Sequence, residues 1–318
     1  MLIDGKWVGD WKPSDGPGRD GSFARAASTF RNWITPDGEA GPTGLGGFKA
    51  EPDRYHLYVA LICPWASRTL MVRKLKKLDR LISVSVVEPA LTDQGWRFGE
   101  TSGADHDALN GATYMHEIYT RAEPAMNGRA TVPVLWDKQR QTIVNNESAD
   151  IVRMLNTAFA TLAEPSIDLN PADLATQIDA FNKRIYDTLN NGVYRAGFAQ
   201  SQRAYEDACR QVFETLDAVD RDLGETGFVM GERFTESDIR LFVTLIRFDA
   251  AYHGLFKCNI RTVASYAKLA AYLKRVLDVE GVRDTVNLDH IKRGYYSIKA
   301  LNPPGIVPLG PDLGWLSL

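Results

Sequence analysis

The sequence predicts an α/β domain followed by an all-α domain, on three observations. From residue 54 to about 157, β-branched and aromatic runs alternate with helical patterns, as in βαβ units. After the turn-rich linker "EPSIDLNP" at 164–171, helical periodicity dominates. Residues 1–50 are rich in Gly, Pro and Asp, yet they contain embedded aromatic residues that a solvated tail usually lacks: Trp7, Trp11, Phe23, Phe30 and Trp33. We expect an extended N-terminal arm over 1–50 that packs on the protein, an α/β domain over 51–160, and a helical domain with a C-terminal arm over 170–318.

The order of elements in the α/β domain is strand, helix, strand, insertion, hairpin, helix. The first strand is "RYHLYVALI", the second is "LISVSVV" at 81–87, and a helix after Cys63 separates them. Residues 88–130 are polar and too long for an ordinary connection, which indicates a functional insertion. "TVPVLWD" and "QTIVN" predict an antiparallel hairpin, and "NESADIVRML" predicts the last helix. This is the order of a thioredoxin-like domain.

The second domain is predicted to consist of helices at about 171–192, 201–223, 235–251 and 261–278. The third begins with Thr235 as N-cap and Asp238 three residues later, a pattern similar to a capping box. We expect these two residues to stabilise the helix rather than to bind a ligand.

Composition excludes several classes of function. Lys and Arg total 37 against 40 acidic residues, and the formal charge of −3 comes without a basic block, so we expect no nucleic-acid partner. No apolar run approaches the roughly 18 residues of a membrane span, and the N-terminal residues lack a signal-peptide pattern. We therefore expect a cytoplasmic protein with no membrane partner.

Cys63 lies where the first strand gives way to a helix. Pro64 suits the first helical position, because that position needs no intrahelical N–H, and this places Cys63 at the N-cap. The helix N-terminus favours a thiolate, and lowering a thiol pKa from about 8.5 to about 6 raises the ionised fraction at pH 7 from roughly 3% to roughly 90%. The alternative is a buried structural cysteine.

The cysteine pattern points to a reducing compartment. Cys63, Cys209 and Cys258 are odd in number and far apart, which suggests neither a disulfide framework nor a zinc site. Ala66 stands where a CxxC motif would have its second cysteine. A disulfide formed by Cys63 must therefore be resolved by a thiol from elsewhere.

Six motifs, in order, give the chain a resemblance to a known family. "CPWA", "GWRF", "GRATVPVLWD", "NNESADI", "SDIRLF" and "IKRGYY" resemble the glutathionyl-hydroquinone reductases, or Xi-class glutathione transferases, over nearly the whole chain. The resemblance implies a reductase that removes glutathione from glutathionyl-hydroquinones through a mixed disulfide on Cys63. It also implies a homodimer. Glutathione is then the co-substrate, and we expect no metal, nicotinamide or nucleotide.

Glu147 and Ser148 are candidate glutathione ligands. They fall at a helix start, where free N–H groups and the Ser hydroxyl can hold an anion while the Glu carboxylate attracts an ammonium, the two charges of an α-amino acid. The alternative is a helix cap with no ligand. The resemblance adds a cis Val132–Pro133 bond, whose Val132 main chain would pair with the peptide, and it adds Trp96 and Arg129.

Tyrosines of the helical half are candidate ligands for the hydroquinone. The hydroxyls of Tyr194, Tyr252 and Tyr295 can bond a phenolic oxygen and their rings can border a flat ligand. The resemblance favours Tyr194 and Tyr295, while Tyr252 and His253 are weaker candidates and Tyr296 is a register alternative to Tyr295. Any of these tyrosines can instead serve packing alone.

Two other functions compete with the reductase. One is a transferase that conjugates glutathione to electrophiles, which would favour a Ser or Tyr hydroxyl at the position of Cys63. The other is a non-catalytic transferase-like module for protein association.

Overall fold

The computed structural model describes residues 1–9, 21–23 and 27–317, which form two compact units. The first contains the described residues of 1–9 and 27–167. The second contains those of 21–23 and 168–317.

A four-stranded mixed sheet is the centre of the first unit. Its strands are β5 (Tyr55–Val59), β6 (Ile82–Val86), β7 (Val134–Asp137) and β8 (Thr142–Asn145), in the order β6-β5-β7-β8. Strand β5 pairs parallel with β6 and antiparallel with β7, so that Leu57 lies opposite both Val84 and Leu135. All five residues of β5 are buried, as expected of a central strand made of aromatic and aliphatic side chains. The predicted thioredoxin-like order is confirmed.

Three helices complete the sheet domain. Helix α1 (Pro64–Leu75) joins β5 to β6 and packs against α3 (Ser148–Thr157), which follows β8. Helix α2 (Met115–Ala122) lies inside the segment 88–130, where the sequence predicted only a polar insertion. Its two turns bury only Met115, Ile118 and Tyr119, a pattern too short to stand out against the surrounding glycines.

Short strands form within the region predicted as an extended arm. Strands β1 (Leu2–Ile3) and β2 (Lys6–Trp7) form an antiparallel hairpin, and β3 (Trp33–Thr35) pairs parallel with β4 (Gly47–Lys49). The arm aromatics do pack: in the first unit Phe30 lies edge-on to Tyr119, and in the second Phe23 stacks on Phe198. Trp11 lies outside the described residues.

The second unit is helical. Its α-helices are α4 (Ala175–Ile185), α5 (Gly192–Gly197), α6 (Gln202–Asp222), α7 (Glu236–Arg247), α8 (Ala267–Leu277) and α9 (Leu288–Tyr296). Helices α4 and α7 each continue into a π-helical turn, over Tyr186–Asn190 and Phe248–Tyr252. Short 3₁₀ turns occupy Val263–Ser265, Arg283–Thr285 and Gly314–Leu316. The predicted all-α domain is confirmed, and α9 is a helix that the sequence analysis did not delimit.

The capping box of α7 is also confirmed. Thr235 is the N-cap, and its N–H donates to Asp238 Oδ2 over 2.8 Å.

Within the described part of the chain, no helix combines the length and the apolar character needed to cross a membrane.

Candidate functional site

Cys63 occupies the N-cap of α1, as predicted. Its backbone is extended, with φ −76° and ψ 117°, and Pro64 is the first helical residue. The Cys63 C=O accepts the helical N–H of Ser67 over 2.9 Å, while the side chain is half-buried. The start of the helix therefore presents the sulfur at a partly exposed position. All three cysteines of the chain are in the reduced form.

The Val132–Pro133 peptide bond lies beside the Cys63 sulfur. It is cis, which confirms the expectation drawn from the resemblance. The Cys63 thiol donates to the C=O of Val132 with 3.6 Å between Sγ and O. The structure thus brings the candidate nucleophile to the main chain that is expected to pair with a peptide.

Glu147 is the N-cap of α3, and Ser148 is its first residue. Glu147 Oε1 accepts from the Ala149 N–H at 3.2 Å and lies 3.5 Å from Ser148 Oγ. The Ala149 N–H, one of the groups expected to hold an anion, therefore donates to Glu147 instead. Glu147 remains half-buried and Ser148 is buried, so an acidic group and a hydroxyl lie side by side at the helix start.

Ser28, a residue of the arm that the sequence analysis did not identify, also holds Glu147. Its hydroxyl donates to Glu147 Oε2 over 3.0 Å and lies 3.3 Å from the C=O of Asn146. Nothing local in the sequence pairs two residues 119 positions apart. The only available signal was the aromatic content of the arm, which predicted that the arm packs.

A buried hydrogen-bonded chain connects the Glu147 loop to the cis-proline loop. Asn146 Nδ2 donates to the Tyr119 hydroxyl over 3.0 Å, and that hydroxyl donates to the Thr131 C=O over 2.9 Å. Burial raises the pKa of Tyr119, so its hydroxyl stays protonated and able to donate. This chain fixes the spacing between the two loops that carry Glu147 and Val132.

Trp96 and Arg129 are half-buried residues of two further loops in the same unit. The Trp96 C=O accepts from the N–H of Met115 at the start of α2 over 2.9 Å. The Arg129 charge is close enough to Tyr119 to oppose, in part, the effect of burial on the pKa of that phenol. Both loops therefore connect to α2, the helix that the sequence analysis missed.

The three candidate tyrosines form one cluster in the helical unit. The Tyr295 hydroxyl lies 2.6 Å from that of Tyr194 and 2.9 Å from that of Tyr252. Tyr252 is 0% and Tyr295 2% exposed, whereas Tyr194 is half-buried. Burial raises the pKa of Tyr252 and of Tyr295 well above the usual value, so both hydroxyls stay protonated.

Tyr296, the alternative to Tyr295 as a hydroquinone ligand, has a different environment. The Tyr296 hydroxyl lies against Gly254, where an added Cβ would come within 2.4 Å of it. Tyr295, rather than Tyr296, therefore belongs to the cluster with Tyr194 and Tyr252.

Among the described residues, no group of three or more His, Cys, Asp or Glu side chains is arranged to hold a metal ion.

Comparison with protein families matches both units. Residues 62–158 match the model of the glutathione S-transferase N-terminal domain, and residues 202–275 match that of the C-terminal domain. The glutathionyl-hydroquinone reductase YqjG of Escherichia coli is 50% identical over 313 residues, which are 98% of this chain and 95% of the relative. The glutathionyl-hydroquinone reductase PcpF of Sphingobium chlorophenolicum is 45% identical over 98% of this chain and 96% of the relative.

Solved structures agree with these relatives. The glutathione-bound structure of Escherichia coli YqjG superposes with a TM-score of 0.90 at 47% identity, over 99% of this chain and 96% of that one. The Xi glutathione S-transferase of Phanerochaete chrysosporium superposes with a TM-score of 0.88 at 46% identity, over 93% and 95% of the two chains. The chain therefore belongs to the glutathione S-transferase family, and within it to the Xi class of glutathionyl-hydroquinone reductases.

Proposed function

We propose that the protein reduces glutathionyl-hydroquinones to hydroquinones with glutathione as co-substrate. The observation that carries the proposal is the half-buried Cys63 thiol at the start of α1, with its sulfur 3.6 Å from the Val132 C=O beside a cis-proline. The identity of 50% to a glutathionyl-hydroquinone reductase supports the same reaction.

The first unit supplies the proposed glutathione site. The Glu147 carboxylate takes the ammonium of the γ-glutamyl group, and Ser148 takes its carboxylate. The Val132 main chain pairs with the extended peptide, as an added strand does at a sheet edge. Arg129 offers its guanidinium to a further carboxylate, and Trp96 offers a stacking surface.

The proposed reaction proceeds through a mixed disulfide. The Cys63 thiolate attacks the glutathione sulfur of the substrate, so an S–S bond forms, the sulfur–carbon bond breaks, and its electron pair leaves with the aromatic carbon. That carbon takes up a proton to give the hydroquinone. A second glutathione thiolate then attacks the mixed disulfide, which releases oxidised glutathione and restores Cys63.

The tyrosine cluster is the proposed hydroquinone-binding group. Tyr194, as its half-buried member, contacts the phenolic oxygen, while Tyr252 and Tyr295 hold the Tyr194 hydroxyl through the chain of hydrogen bonds. By the same resemblance, we propose a cytoplasmic homodimer.

Mass spectrometry of the intact chain tests the proposal. After incubation with a glutathionyl-hydroquinone and no free glutathione, we expect a mass gain of one glutathionyl group, located on Cys63. Cys63→Ser should show no gain, whereas Cys209→Ser, at a buried thiol, should gain the group as the unchanged chain does. If the unchanged chain gains no mass while the substrate is available, the mechanism is wrong.

The Cys63→Ser variant also distinguishes the reductase from a conjugating transferase. A transferase uses its side chain only to activate glutathione, so Cys63→Ser would retain or gain conjugation of an electrophile. The reductase instead loses release of oxidised glutathione in that variant, because serine cannot form the mixed disulfide. A panel of glutathionyl-hydroquinones scored for oxidised glutathione then defines the ring that is preferred.

A further inference from the structure

We propose that the N-terminal hairpin, strands β1 and β2 with the turn between them, positions the two loops that carry Trp96 and Arg129, with Trp7 as its positioning residue. The inference rests on the proposed function, since that function assigns these two residues to glutathione. The hairpin contacts both loops, and all of these contacts lie within the first unit.

Trp7 holds the turn that immediately precedes Trp96. Its indole Nε1–H donates to the Asp93 C=O over 2.9 Å. Its ring also covers Gly95, where an added Cβ would lie 3.2 Å from Cη2 of Trp7 and where φ is +74°. Two backbone hydrogen bonds between Thr92 and Gly95, of 3.1 and 3.0 Å, close the turn under the ring. The chain entering Trp96 is therefore fixed by Trp7.

The same ring also contacts the element that holds the main chain of Trp96. Trp7 stacks on His116, with ring centroids 4.7 Å apart and an angle of 18° between the planes. The His116 ring stacks in turn on Tyr114 at 5.4 Å and 10°. Met115, between these two residues, donates its N–H to the Trp96 C=O. Trp7 thus contacts both the residue before Trp96 and the residue next to Met115, which binds the Trp96 main chain.

The other side of the hairpin lies along the loop before Arg129. Leu2 and Gly128 exchange two backbone hydrogen bonds, of 2.8 and 3.0 Å. The Gly5 N–H donates to the Met126 C=O over 3.0 Å, in an approach so close that an added Cβ at Gly5 would lie 1.8 Å from the Pro124 C=O oxygen. Because Arg129 follows Gly128 directly, the hairpin fixes the start of its backbone.

Ordering the Trp96 and Arg129 loops before glutathione arrives affects the binding affinity more than the reactivity of Cys63. A loop that is ordered before the ligand arrives does not lose conformational freedom on binding, so affinity rises. Cys63 is held by other groups: its N–H donates to the Ala60 C=O, its C=O accepts from the Ser67 N–H, and its thiol donates to the Val132 C=O. Loss of the Trp7 ring should therefore weaken glutathione binding and leave the thiol itself unchanged.

Two measurements on the full chain test the inference. Calorimetry gives the glutathione Kd, and mass spectrometry gives the rate at which iodoacetamide alkylates Cys63 without glutathione. We expect Trp7→Ala to raise the Kd about ten-fold, since the Trp96 and Arg129 loops must then be ordered on binding, and to leave the alkylation rate unchanged. Val8→Ala, at the next residue and 57% exposed, should change neither quantity. Trp7→Phe keeps the stacking, loses the bond to Asp93, and should give an intermediate Kd.

Several outcomes would overturn the inference. One is a Trp7→Ala chain that binds glutathione as tightly as the unchanged chain does. Another is an alkylation rate that changes in step with the Kd, because it would indicate general damage. If Trp7→Ala does not fold, the Kd and the alkylation rate of Gly5→Ala are measured instead. The added Cβ of that variant displaces the hairpin from the loop before Arg129. An unchanged chain that binds no glutathione would overturn the proposed function and the inference with it.

Discussion

The role of a single carboxylate such as Glu147 is set by the groups that hold it. Its two oxygens accept from the Ala149 N–H and the Ser28 hydroxyl, so the carboxylate is oriented before any ligand arrives. A helix cap and a ligand are usually alternative explanations for such a residue. Here the cap is observed, and it pre-organises the group for the ammonium that the proposed function assigns to it.

Removing the Ser28 hydroxyl tests this orientation. We expect Ser28→Ala to raise the KM for glutathione about five-fold at unchanged kcat, because one hydrogen bond to a charged group is lost, worth about 1 kcal/mol at a half-buried site. Thr29→Ala, at the exposed neighbour, is the matched control. Steady-state kinetics with varied glutathione measures both, and an equal fall in kcat would contradict a role limited to binding.

His56 makes the stability of the sheet depend on pH. The ring bridges β5 and β6, with Nδ1 2.7 Å from Ser83 Oγ and Nε2 3.0 Å from Ser85 Oγ, and burial lowers its pKa to about 4. An unfolded histidine has a pKa of about 6.5, so the unfolded state binds the proton first as the pH falls. Stability attributable to His56 is therefore complete above about pH 6.5 and is lost progressively towards about pH 4.

Urea unfolding at two pH values measures this contribution. Between about pH 7.5 and about pH 5, we expect the unchanged chain to lose about 2 kcal/mol more unfolding free energy than His56→Gln loses. Comparison with the variant cancels the opposite contributions of Asp238 and Asp249, whose pKa values burial raises. Equal losses in the two chains would show that His56 is not responsible.

At the scale of elements, helix α7 depends on one buried carboxylate. Asp238 is 0% exposed and accepts from the N–H groups of Val229 and Thr235 and from the Tyr272 hydroxyl, each over 2.8 Å. It therefore joins the start of the helix to the preceding loop and to α8. The capping-box pattern predicted the contact with Thr235. It predicted neither the contact with Val229, in the preceding loop, nor the contact with Tyr272, in α8.

Replacing Asp238 should have a large cost. Asp238→Ala leaves four donors without their acceptor, namely the N–H groups of Val229 and Thr235 and the hydroxyls of Thr235 and Tyr272, and we expect a loss of roughly 3 kcal/mol or more of unfolding free energy. Ser201→Ala, at the exposed N-cap of α6, is the comparison and should cost about 1 kcal/mol. Urea unfolding followed by circular dichroism measures both, and similar costs would show that the distant partners contribute little.

The elements that the sequence predicted are those with a local cause. Pro64 fixes the start of α1, and the β-branched run in "QTIVN" indicates β8, because both signals lie within a few residues. Strands β1 to β4 have two or three residues each, and α2 has eight, so their patterns are too short to read. The contacts of Trp7 with Asp93 and of Ser28 with Glu147 join residues far apart in the chain, which local periodicity does not record.

At the scale of the whole molecule, the two units carry separate proposed tasks. The candidate glutathione ligands all lie in the first unit, and the tyrosine cluster lies in the second. The arm supplies residues to both, through Trp7 in the first and Phe23 in the second. The site residues predicted for each substrate thus lie within a single unit, although their hydrogen-bond partners were not predictable.

A variant of the second unit tests this division. Tyr295→Phe removes the central hydroxyl of the cluster, so we expect kcat/KM for a glutathionyl-hydroquinone to fall about ten-fold while the glutathione Kd stays unchanged. Tyr266→Phe removes a hydroxyl that bonds Asp217 instead and should leave both quantities near their original values. A glutathione Kd that rises in Tyr295→Phe would contradict the division of tasks.

The three phenols of the cluster also obey a simple count of hydrogens. Each hydroxyl carries one hydrogen, so the Tyr295 hydroxyl can donate to Tyr194 or to Tyr252 but not to both. If Tyr194 gives its hydrogen to a bound oxygen atom, its bond with Tyr295 needs the Tyr295 hydrogen, and the bond between Tyr295 and Tyr252 then needs the hydrogen of Tyr252. A ligand oxygen that accepts from Tyr194 therefore directs all three O–H bonds the same way.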